Sequence, residues 1–173
     1  LLKGKTDVLG KLLHKKDKEG NTPFDDAARH GYFMRFKAMW KVLEELKIST
    51  DVILANENIH GENIIHSAVG SKCNEDFLNY VLELLKNKRE LLKNILHKNY
   101  SYGRTPFDYS ARCGNFTRFK TMLEVLKESE ISIDKILMNK NDKGENIIHL
   151  ALGPECNDFL NYILNIITNK PGF

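Results

Sequence analysis

The apolar residues between positions 33 and 47 follow the spacing of a helix. They recur at intervals of three or four residues, so they lie together on one side of an α-helix. Because this apolar side is wide, the helix must be covered by neighbours on more than one face. The same spacing returns 83 residues later. The two stripes are Phe33, Phe36, Trp40 and Leu43, widened by Met39, Val42 and Leu46, and Phe116, Phe119, Leu123 and Leu126.

A short helix is predicted just before each stripe. Thr22 can cap the first one, Pro23 suits the first helical position, and Asp25 completes a capping box three residues after the cap. Gly31 ends the helix where a left-handed backbone is needed. In the second copy the equivalent residues are Thr105, Pro106, Asp108 and Gly114.

The segment after the long helix predicts a short extra turn and then a reversal of the chain. Ser49 or Thr50 can cap a turn that carries the apolar run 52–54. The asparagine-rich stretch up to Gly61 is typical of a turn or hairpin. We therefore expect each long helix to be followed by a finger-like loop.

The whole chain is an internal repeat. Gly20, Gly61, Gly103 and Gly144 stand 41, 42 and 41 residues apart. Units that begin GNTPFDDAARHG and GRTPFDYSARCG alternate with units that begin GENIIHSAVG and GENIIHLALG. The pattern indicates a tandem duplication of a two-unit block of about 83 residues.

The repeat also predicts the domain boundaries. Residues 7–20 resemble 90–103, the closing part of a unit, and no polar capping unit follows the last helix, although solenoids normally have one. We expect a piece of a longer array. The predicted segments are the tail of a truncated preceding repeat at 1–19, repeats at 20–60, 61–102 and 103–143, and a truncated, uncapped repeat at 144–173.

The TPFD units resemble the ankyrin consensus G-x-T-P-L-H-x-A-A-x-x-G almost letter by letter over residues 20–31 and 103–114. HEAT, armadillo and WD40 repeats have similar periods, but WD40 needs strands and HEAT lacks the Gly-x-Thr-Pro opening. The resemblance implies an all-α, ankyrin-type helical repeat solenoid with helix-turn-helix units and hairpin or loop fingers. Residues given a structural role by it are Thr22, Pro23, Gly31, His66, Thr105, Pro106, Gly114 and His149.

The GENIIH units are looser matches to this consensus. Asn63 and Asn146 replace the consensus Thr, while His66 and His149 keep the family histidine. The spacing between first and second helix also departs from the consensus in these units. The resemblance implies that the histidines are structural and hydrogen-bond between neighbouring repeats.

Composition and charge narrow the class of function. The chain has 42% hydrophobic and 28% charged residues and a net charge of +3, which fits a packed domain and is too mild for a dedicated nucleic-acid binder. No apolar run is long enough to cross a bilayer, so no direct membrane insertion is expected. Three cysteines at wide spacing favour a reducing compartment, cytoplasmic or nuclear.

No constellation of catalytic, cofactor-binding or metal-binding residues is evident. P-loop, GxSxG and HExxH motifs are absent. A metal role for His66 and His149 lacks a carboxylate or cysteine at ligand spacing. The duplicated Cys73 and Cys156, with Cys113, are interpreted as packing residues because a catalytic cysteine needs its own base. We expect no enzyme and no cofactor.

The best candidates for partner binding lie on the short first helices, because the resemblance places these helices on the concave face. The alternative is that the two i,i+4 pairs, Asp25 with Arg29 and Asp108 with Arg112, are ordinary surface salt bridges. Positions that differ between the two copies are the better candidates, since scaffold duty tends to keep residues alike. The candidate residues are Asp25, Asp26, Arg29, His30, Asp108, Tyr109, Arg112 and Cys113.

These patterns favour a non-catalytic protein–protein interaction module whose partner is another protein. The alternative is a cytosolic regulatory ankyrin segment of a larger protein, such as a membrane channel or a symbiont or pathogen effector. Fold alone does not separate the two.

Overall fold

The computed structural model describes residues 2–70, 75–153 and 157–169, except the side chains of 2–5 and 157. Over these ranges the protein is all-α, as predicted, with an isolated bridge between Tyr100 and Arg104. The helices are α1 Leu2–Leu13, α2 Pro23–Arg29, α3 Phe33–Glu45, α4 Asp51–Leu54, α5 Ile64–Val69, α6 Glu75–Leu85, α7 Arg89–Leu96, α8 Pro106–Arg112, α9 Phe116–Glu128, α10 Asp134–Leu137, α11 Ile147–Leu150 and α12 Asn157–Thr168.

The capping residues define α2 as the sequence predicts. The Thr22 side chain accepts a hydrogen bond from the Asp25 N–H, and the Thr22 N–H donates to Asp25 Oδ2 at 2.7 Å. Pro23 is the first helical residue, and the helix stops before Gly31, whose φ is 70°. Thr105, Pro106, Asp108 and Gly114 repeat this geometry in α8. The predicted structural roles of these cap, proline and stop residues are confirmed.

The longer elements also follow the pattern, with small differences at their ends. Helix α3 ends at Glu45 rather than Lys47. The predicted extra turn is present as α4, with Thr50 at its N-cap, but the Thr50 side chain makes no capping hydrogen bond.

The helices pack in two rows. The first-helix row consists of α2, α5, α8 and α11, in which each helix contacts the next. The second-helix row consists of α3, α6, α9 and α12 and packs behind it, with α2 on α3, α5 on α6 and α8 on α9. The short helices α4, α7 and α10 precede the fingers.

Aromatic contacts tie the two rows together in the same way in each half. Phe24 of α2 meets Phe36 of α3 edge-on, with ring centroids 5.2 Å apart, and Phe36 meets Phe77 of α6 at 5.0 Å. The equivalent rings of Phe107, Phe119 and Phe159 lie 5.2 and 4.8 Å apart. The duplication in sequence is therefore a duplication of core packing.

Residues 71–74 and 154–156, between the first and second helices of the GENIIH units, are not among the described residues. The expected departure from consensus spacing there, and the packing roles predicted for Cys73 and Cys156, lie outside the described residues.

Candidate interaction surface

Each finger ends in a tight turn that closes on its anchor glycine. The first residue of each turn donates its backbone N–H to the carbonyl of the fifth, at 2.8 to 3.0 Å. The glycine occupies the fourth position, and its φ lies between 68° and 82° in all four turns, a conformation that costs L-residues energy. The finger turns are 17–21, 58–62, 100–104 and 141–145.

Side chains stiffen three of these turns. The Oδ1 atoms of Asp17, Asn58 and Asn141 each accept hydrogen bonds from two backbone N–H groups of their own turn, at 2.8 to 3.0 Å. Such Asx geometry replaces backbone partners that a turn leaves open. Tyr100 holds the equivalent place in the third turn, which closes through its backbone bridge to Arg104.

Neighbouring finger turns are joined to one another through their backbones. The Ile59 N–H donates to the Glu19 carbonyl at 2.9 Å, the Ser101 N–H to His60 at 3.0 Å, and the Asp142 N–H to Tyr102 at 3.0 Å. Each accepting residue directly precedes an anchor glycine. The fingers therefore form one continuous rim beside the first-helix row.

Asp25 and Asp108 are buried, which corrects their prediction as partner-binding residues. Asn56 donates its Nδ2 to Asp25 Oδ2 at 2.7 Å and to the Gly20 carbonyl at 3.0 Å. Asn139 does the same for Asp108 and Gly103, at 2.6 and 3.2 Å. Burial raises the pKa of both carboxyl groups, and the hydrogen bonds from Thr22 and Thr105 and from the asparagines oppose it. Both aspartates fasten a finger to its helix.

Arg29 also differs from the predicted i,i+4 pair. Its Nη2 lies 3.1 Å from Glu62 Oε2, and its Nη1 lies 3.3 Å from Glu19 Oε2. Thr22 and Asn56 already donate hydrogen bonds to the Asp25 carboxylate. The Arg29 guanidinium instead pairs with glutamates of two finger turns. Arg29 is half-buried. Its charge serves mainly to hold adjacent units together and is less available to a partner.

Asp26 and His30 are exposed on α2 and at its end. His30 Nδ1 lies 2.9 Å from the Asp26 carbonyl, and the His30 ring stacks on Tyr32 with centroids 5.5 Å apart. Tyr32 is itself exposed, and the Arg35 guanidinium lies 4.3 Å from its ring centroid. The first unit thus presents a patch of mixed charge with an aromatic ring.

The third unit presents different groups at the same positions. Tyr109 is half-buried against Tyr100, with ring centroids 6.0 Å apart, and burial raises its pKa. Arg112 is exposed, and Cys113 is an exposed free thiol.

The two family histidines cap their helices in the same way but differ in burial. The Asn63 N–H donates to His66 Nδ1 at 3.2 Å, and the Asn146 N–H donates to His149 Nδ1 at 3.3 Å. His66 is buried and its ring lies 4.6 Å from that of Tyr100, the first residue of the next finger turn, whereas His149 is exposed. Burial, partly offset by the backbone of Arg104 and Lys98, lowers the pKa of His66 to about 3.

Several residues that hold the surface in place escaped the sequence interpretation. Asn56 and Asn139 carry the contacts to the buried aspartates, and Glu62 accepts from Arg29. The available signal was the recurrence of Asn56 and Asn139 at 83 residues' distance, each five residues before an anchor glycine. That recurrence does not indicate that each asparagine contacts an aspartate.

The surface carries no arrangement of groups typical of catalysis or metal binding in the part of the chain that the structure describes. There, no three side chains of the His, Cys, Asp or Glu type lie close enough to share a metal ion. The larger grooves include one of about 640 Å³ along α7, between Glu57 and His97, and one of about 550 Å³ between α10 and α12. Within the described ranges, we find no helix with the length and apolar character that a membrane span requires.

Comparison with known proteins gives a distant structural similarity. No protein-family model matches the sequence, and no curated protein matches it either. Among solved structures, a chain of the complex between the predatory endopeptidase Bd0816 from Bdellovibrio bacteriovorus and the immunity protein Bd3460 is similar. The similarity covers 95% of this chain and 92% of that one, at 20% sequence identity and a TM-score of 0.41. So weak a likeness identifies neither a family nor an activity.

Proposed function

We propose that this chain is an ankyrin-type repeat scaffold without catalytic activity, which binds another protein in a reducing compartment of the cell. The binding surface is the exposed side of the first-helix row together with the rim of finger turns. Its central groups are Asp26 and His30 in the first unit and Tyr109, Arg112 and Cys113 in the third.

The observation that carries this proposal is where the fold places two kinds of residue: those that are the same in both TPFD copies and those that differ between them. The shared letters of the TPFD motif are mostly buried: Thr22, Phe24 and Asp25 are inside, as are their equivalents. Two positions that differ between copies, 26 against 109 and 30 against 113, reach the surface. The other two differing positions, 21 against 104 and 27 against 110, are buried in both copies. A constant frame that displays variable groups is suited to recognition.

The rim supports the same conclusion physically. Hydrogen bonds between successive turns and the clamps from Asn56 and Asn139 fix the fingers before a partner arrives. A preorganised surface loses little conformational entropy on association, so more of the contact energy appears as affinity.

Affinity capture from a native lysate tests the proposal. We expect the double variant Asp26→Lys and Arg112→Glu to lose at least about tenfold of the captured partner, because both charges lie on the proposed surface. The thermal midpoint should stay unchanged, since exposed substitutions seldom alter stability.

The matched control is Lys41→Glu, an exposed charge reversal on α3, away from the proposed surface. It should capture as much as the wild type. Equal capture by the wild type, the double variant and the control would refute this surface as the binding site.

A further inference from the structure

A closed network of polar side chains joins the first two finger turns to α2. The Arg29 guanidinium pairs with Glu19 and Glu62, at 3.3 and 3.1 Å, and donates to Asn21 Oδ1 at 3.0 Å. Asn58 donates to Asn21 Oδ1 and to Glu62 Oε2, each at 3.0 Å. Each charged group of this network therefore has a partner within the chain.

The third unit changes the same network at two positions. By the 83-residue repeat, Tyr102 takes the place of Glu19. Arg104 takes the place of Asn21, and Arg112 keeps the arginine of α2 at the equivalent position of α8. Two guanidinium groups thus stand where the first unit has one, and one of the two carboxylates that pair with the arginine is replaced by a tyrosine.

Neither arginine of the third unit forms an ion pair within the described ranges. Arg104 is only 7% exposed, and its Nε atom has no hydrogen-bond partner there. Arg112 is exposed and donates no side-chain hydrogen bond to a described residue. A buried guanidinium is costly unless a counter-charge pairs with it. The burial of Arg104 therefore favours the binding of an anion beside it.

The carboxylates around Arg104 are held by other groups or face solvent. Asp108 Oδ2 accepts from Asn139 at 2.6 Å, and Glu145 Oε2 accepts from the asparagine of its own turn at 2.7 Å. Arg104 interacts with both carboxylates only at longer range. Asp142, in the last finger turn, is exposed and forms no ion pair with a described residue. No carboxylate in the described ranges takes the place that Glu19 has beside the arginine of the first unit.

Two tyrosines lie beside these arginines. The rings of Tyr100 and Tyr109 are 6.0 Å apart, and Arg104 interacts with the first and Arg112 with the second. Burial raises the pKa of both hydroxyls, to about 12 for Tyr100. Each hydroxyl is therefore protonated at neutral pH and can donate a hydrogen bond to an anion, as the guanidinium groups can.

The first unit also shows which anion fits. There the side chains at the two positions contact each other, since Arg29 Nη2 lies 3.0 Å from Asn21 Oδ1. Arg104 and Arg112 hold the same positions in the third unit and are therefore neighbours. Adjacent guanidinium groups repel each other, and a carboxylate between them accepts hydrogen bonds from both. The anions that pair with Arg29 are likewise carboxylates.

We propose that the third unit recognises an acidic segment of the partner protein, with one glutamate or aspartate side chain of that segment bound between the Arg104 and Arg112 guanidinium groups. Arg104 forms the buried side of this site and Arg112 the exposed side. Tyr102, which is 63% exposed and has its ring 5.3 Å from the Arg104 guanidinium, borders the site on the rim. This inference rests on the proposed function, because it gives the chemistry of the partner for the same surface.

Binding of a dye-labelled hexaglutamate peptide to the 173-residue chain tests this proposal, measured by fluorescence anisotropy at low ionic strength. The wild type should bind the peptide saturably. Arg112→Gln should weaken binding at least about tenfold, because it removes a charged donor from the site. Arg104→Asn should weaken it as much. Since asparagine is the residue of the first unit at this position, that variant should also keep the wild-type thermal midpoint.

Lys127→Gln is the matched control, because it removes one positive charge from an exposed position on α9, in the second-helix row. It should bind hexaglutamate within about twofold of the wild type. The proposal fails if the wild type does not bind the peptide, or if Lys127→Gln weakens binding as much as Arg112→Gln does. If Arg104→Asn lowers the thermal midpoint, the comparison of Arg112→Gln with Lys127→Gln decides.

Capture of the native partner separates this inference from the proposed function. If the double variant Asp26→Lys and Arg112→Glu loses the native partner but the wild type does not bind hexaglutamate, only the acidic chemistry of the partner is refuted. If hexaglutamate binds as expected but the double variant captures as much partner as the wild type, the proposed partner surface is refuted and the anion site stands.

Discussion

Residues 61–66 and 144–149 spell the same six letters, GENIIH, and fold the same way locally, yet one copy is buried and the other is not. In both, the asparagine caps the helix, with φ of −109° and −101°, and its Oδ1 accepts from the histidine N–H at 3.2 Å. His66 is 2% exposed and Ile65 is 0% exposed, whereas His149 is exposed and Ile148 is half-buried.

The difference arises from neighbours, since the letters are identical. Helix α5 lies between α2 and α8, whereas α11 contacts α8 and, among the described residues, meets no first helix on its other side. Local sequence decides the cap and the turn, and the adjacent unit decides burial. In a repeat array stability is a sum of such nearest-neighbour terms, so equal substitutions in the two copies should have unequal effects.

Replacing the second isoleucine of each GENIIH copy, Ile65 or Ile148, should give the largest difference in the free energy of unfolding. Ile65→Ala empties a fully buried site between units and should lower the free energy of unfolding by about 3 to 4 kcal/mol. Ile148→Ala removes a half-buried side chain and should cost about 1 kcal/mol. Urea denaturation followed by far-UV circular dichroism, at concentrations where the chain is monomeric, measures both.

Equal losses in these two variants would mean that burial of α5 by its neighbours contributes nothing to its stability. Val52→Ala, at an exposed apolar site on α4, serves as the reference and should change the free energy of unfolding by less than about 0.5 kcal/mol.

The burial of His66 predicts a pH dependence of stability. The pKa of His66 is lowered from 6.5 to about 3 in the folded protein, so the unfolded chain takes up the proton first. The stability that neutral His66 contributes is complete above pH 6.5 and is lost as the pH falls toward 3. Between pH 7.5 and pH 5 the wild type should lose about 2 kcal/mol through this residue.

The matched variants are His66→Gln and His149→Gln, because glutamine can still accept the hydrogen bond from the asparagine N–H. His66→Gln should lose less stability than the wild type over this pH interval, by about 2 kcal/mol, whereas His149→Gln retains His66 and should still show the loss that His66 causes. Asp25 and Asp108, with raised pKa, act in the opposite direction, but every variant contains them. The same pH dependence in both variants would exclude His66 as its source.

The contrast also shows what the sequence could predict. Helix starts, stops and turn glycines depend on a few adjacent residues, so Thr22, Pro23 and Gly31 were identified correctly from their order alone. The helical spacing over 33–47 and 116–126, together with the resemblance, predicts the all-α architecture. Burial of an individual residue depends on the next unit, which identical letters in two copies cannot distinguish.

The candidate surface shows the same limit. Asp25 and Arg29 stand four apart, and spacing alone pairs them. In the fold each instead forms a hydrogen bond with a residue remote in sequence: Asp25 accepts from Asn56, and Arg29 donates to Glu62. Only the exposed residues, such as Asp26, remain candidates for partner binding. Partners on adjacent fingers determine which charged side chains remain available to bind another protein. The spacing of residues in one sequence does not reveal these long-range partners.

The anchor glycines of the two copies give the smallest contrast. Gly61 and Gly144 share a φ of 76°, so alanine is strained at both and should cost about 1 kcal/mol at each. At Gly61 an added Cβ would lie 3.3 Å from the Asn99 carbonyl oxygen of the next finger, whereas at Gly144 nothing lies within 4 Å. Gly61→Ala should therefore exceed Gly144→Ala by about 0.5 kcal/mol in urea denaturation. A larger loss at Gly144 would show that the fingers do not stack as the ladder of hydrogen bonds indicates. The contact is with the backbone oxygen of Asn99, so removal of the Asn99 side chain should not relieve it. The double variant Gly61→Ala with Asn99→Ala should therefore keep the clash.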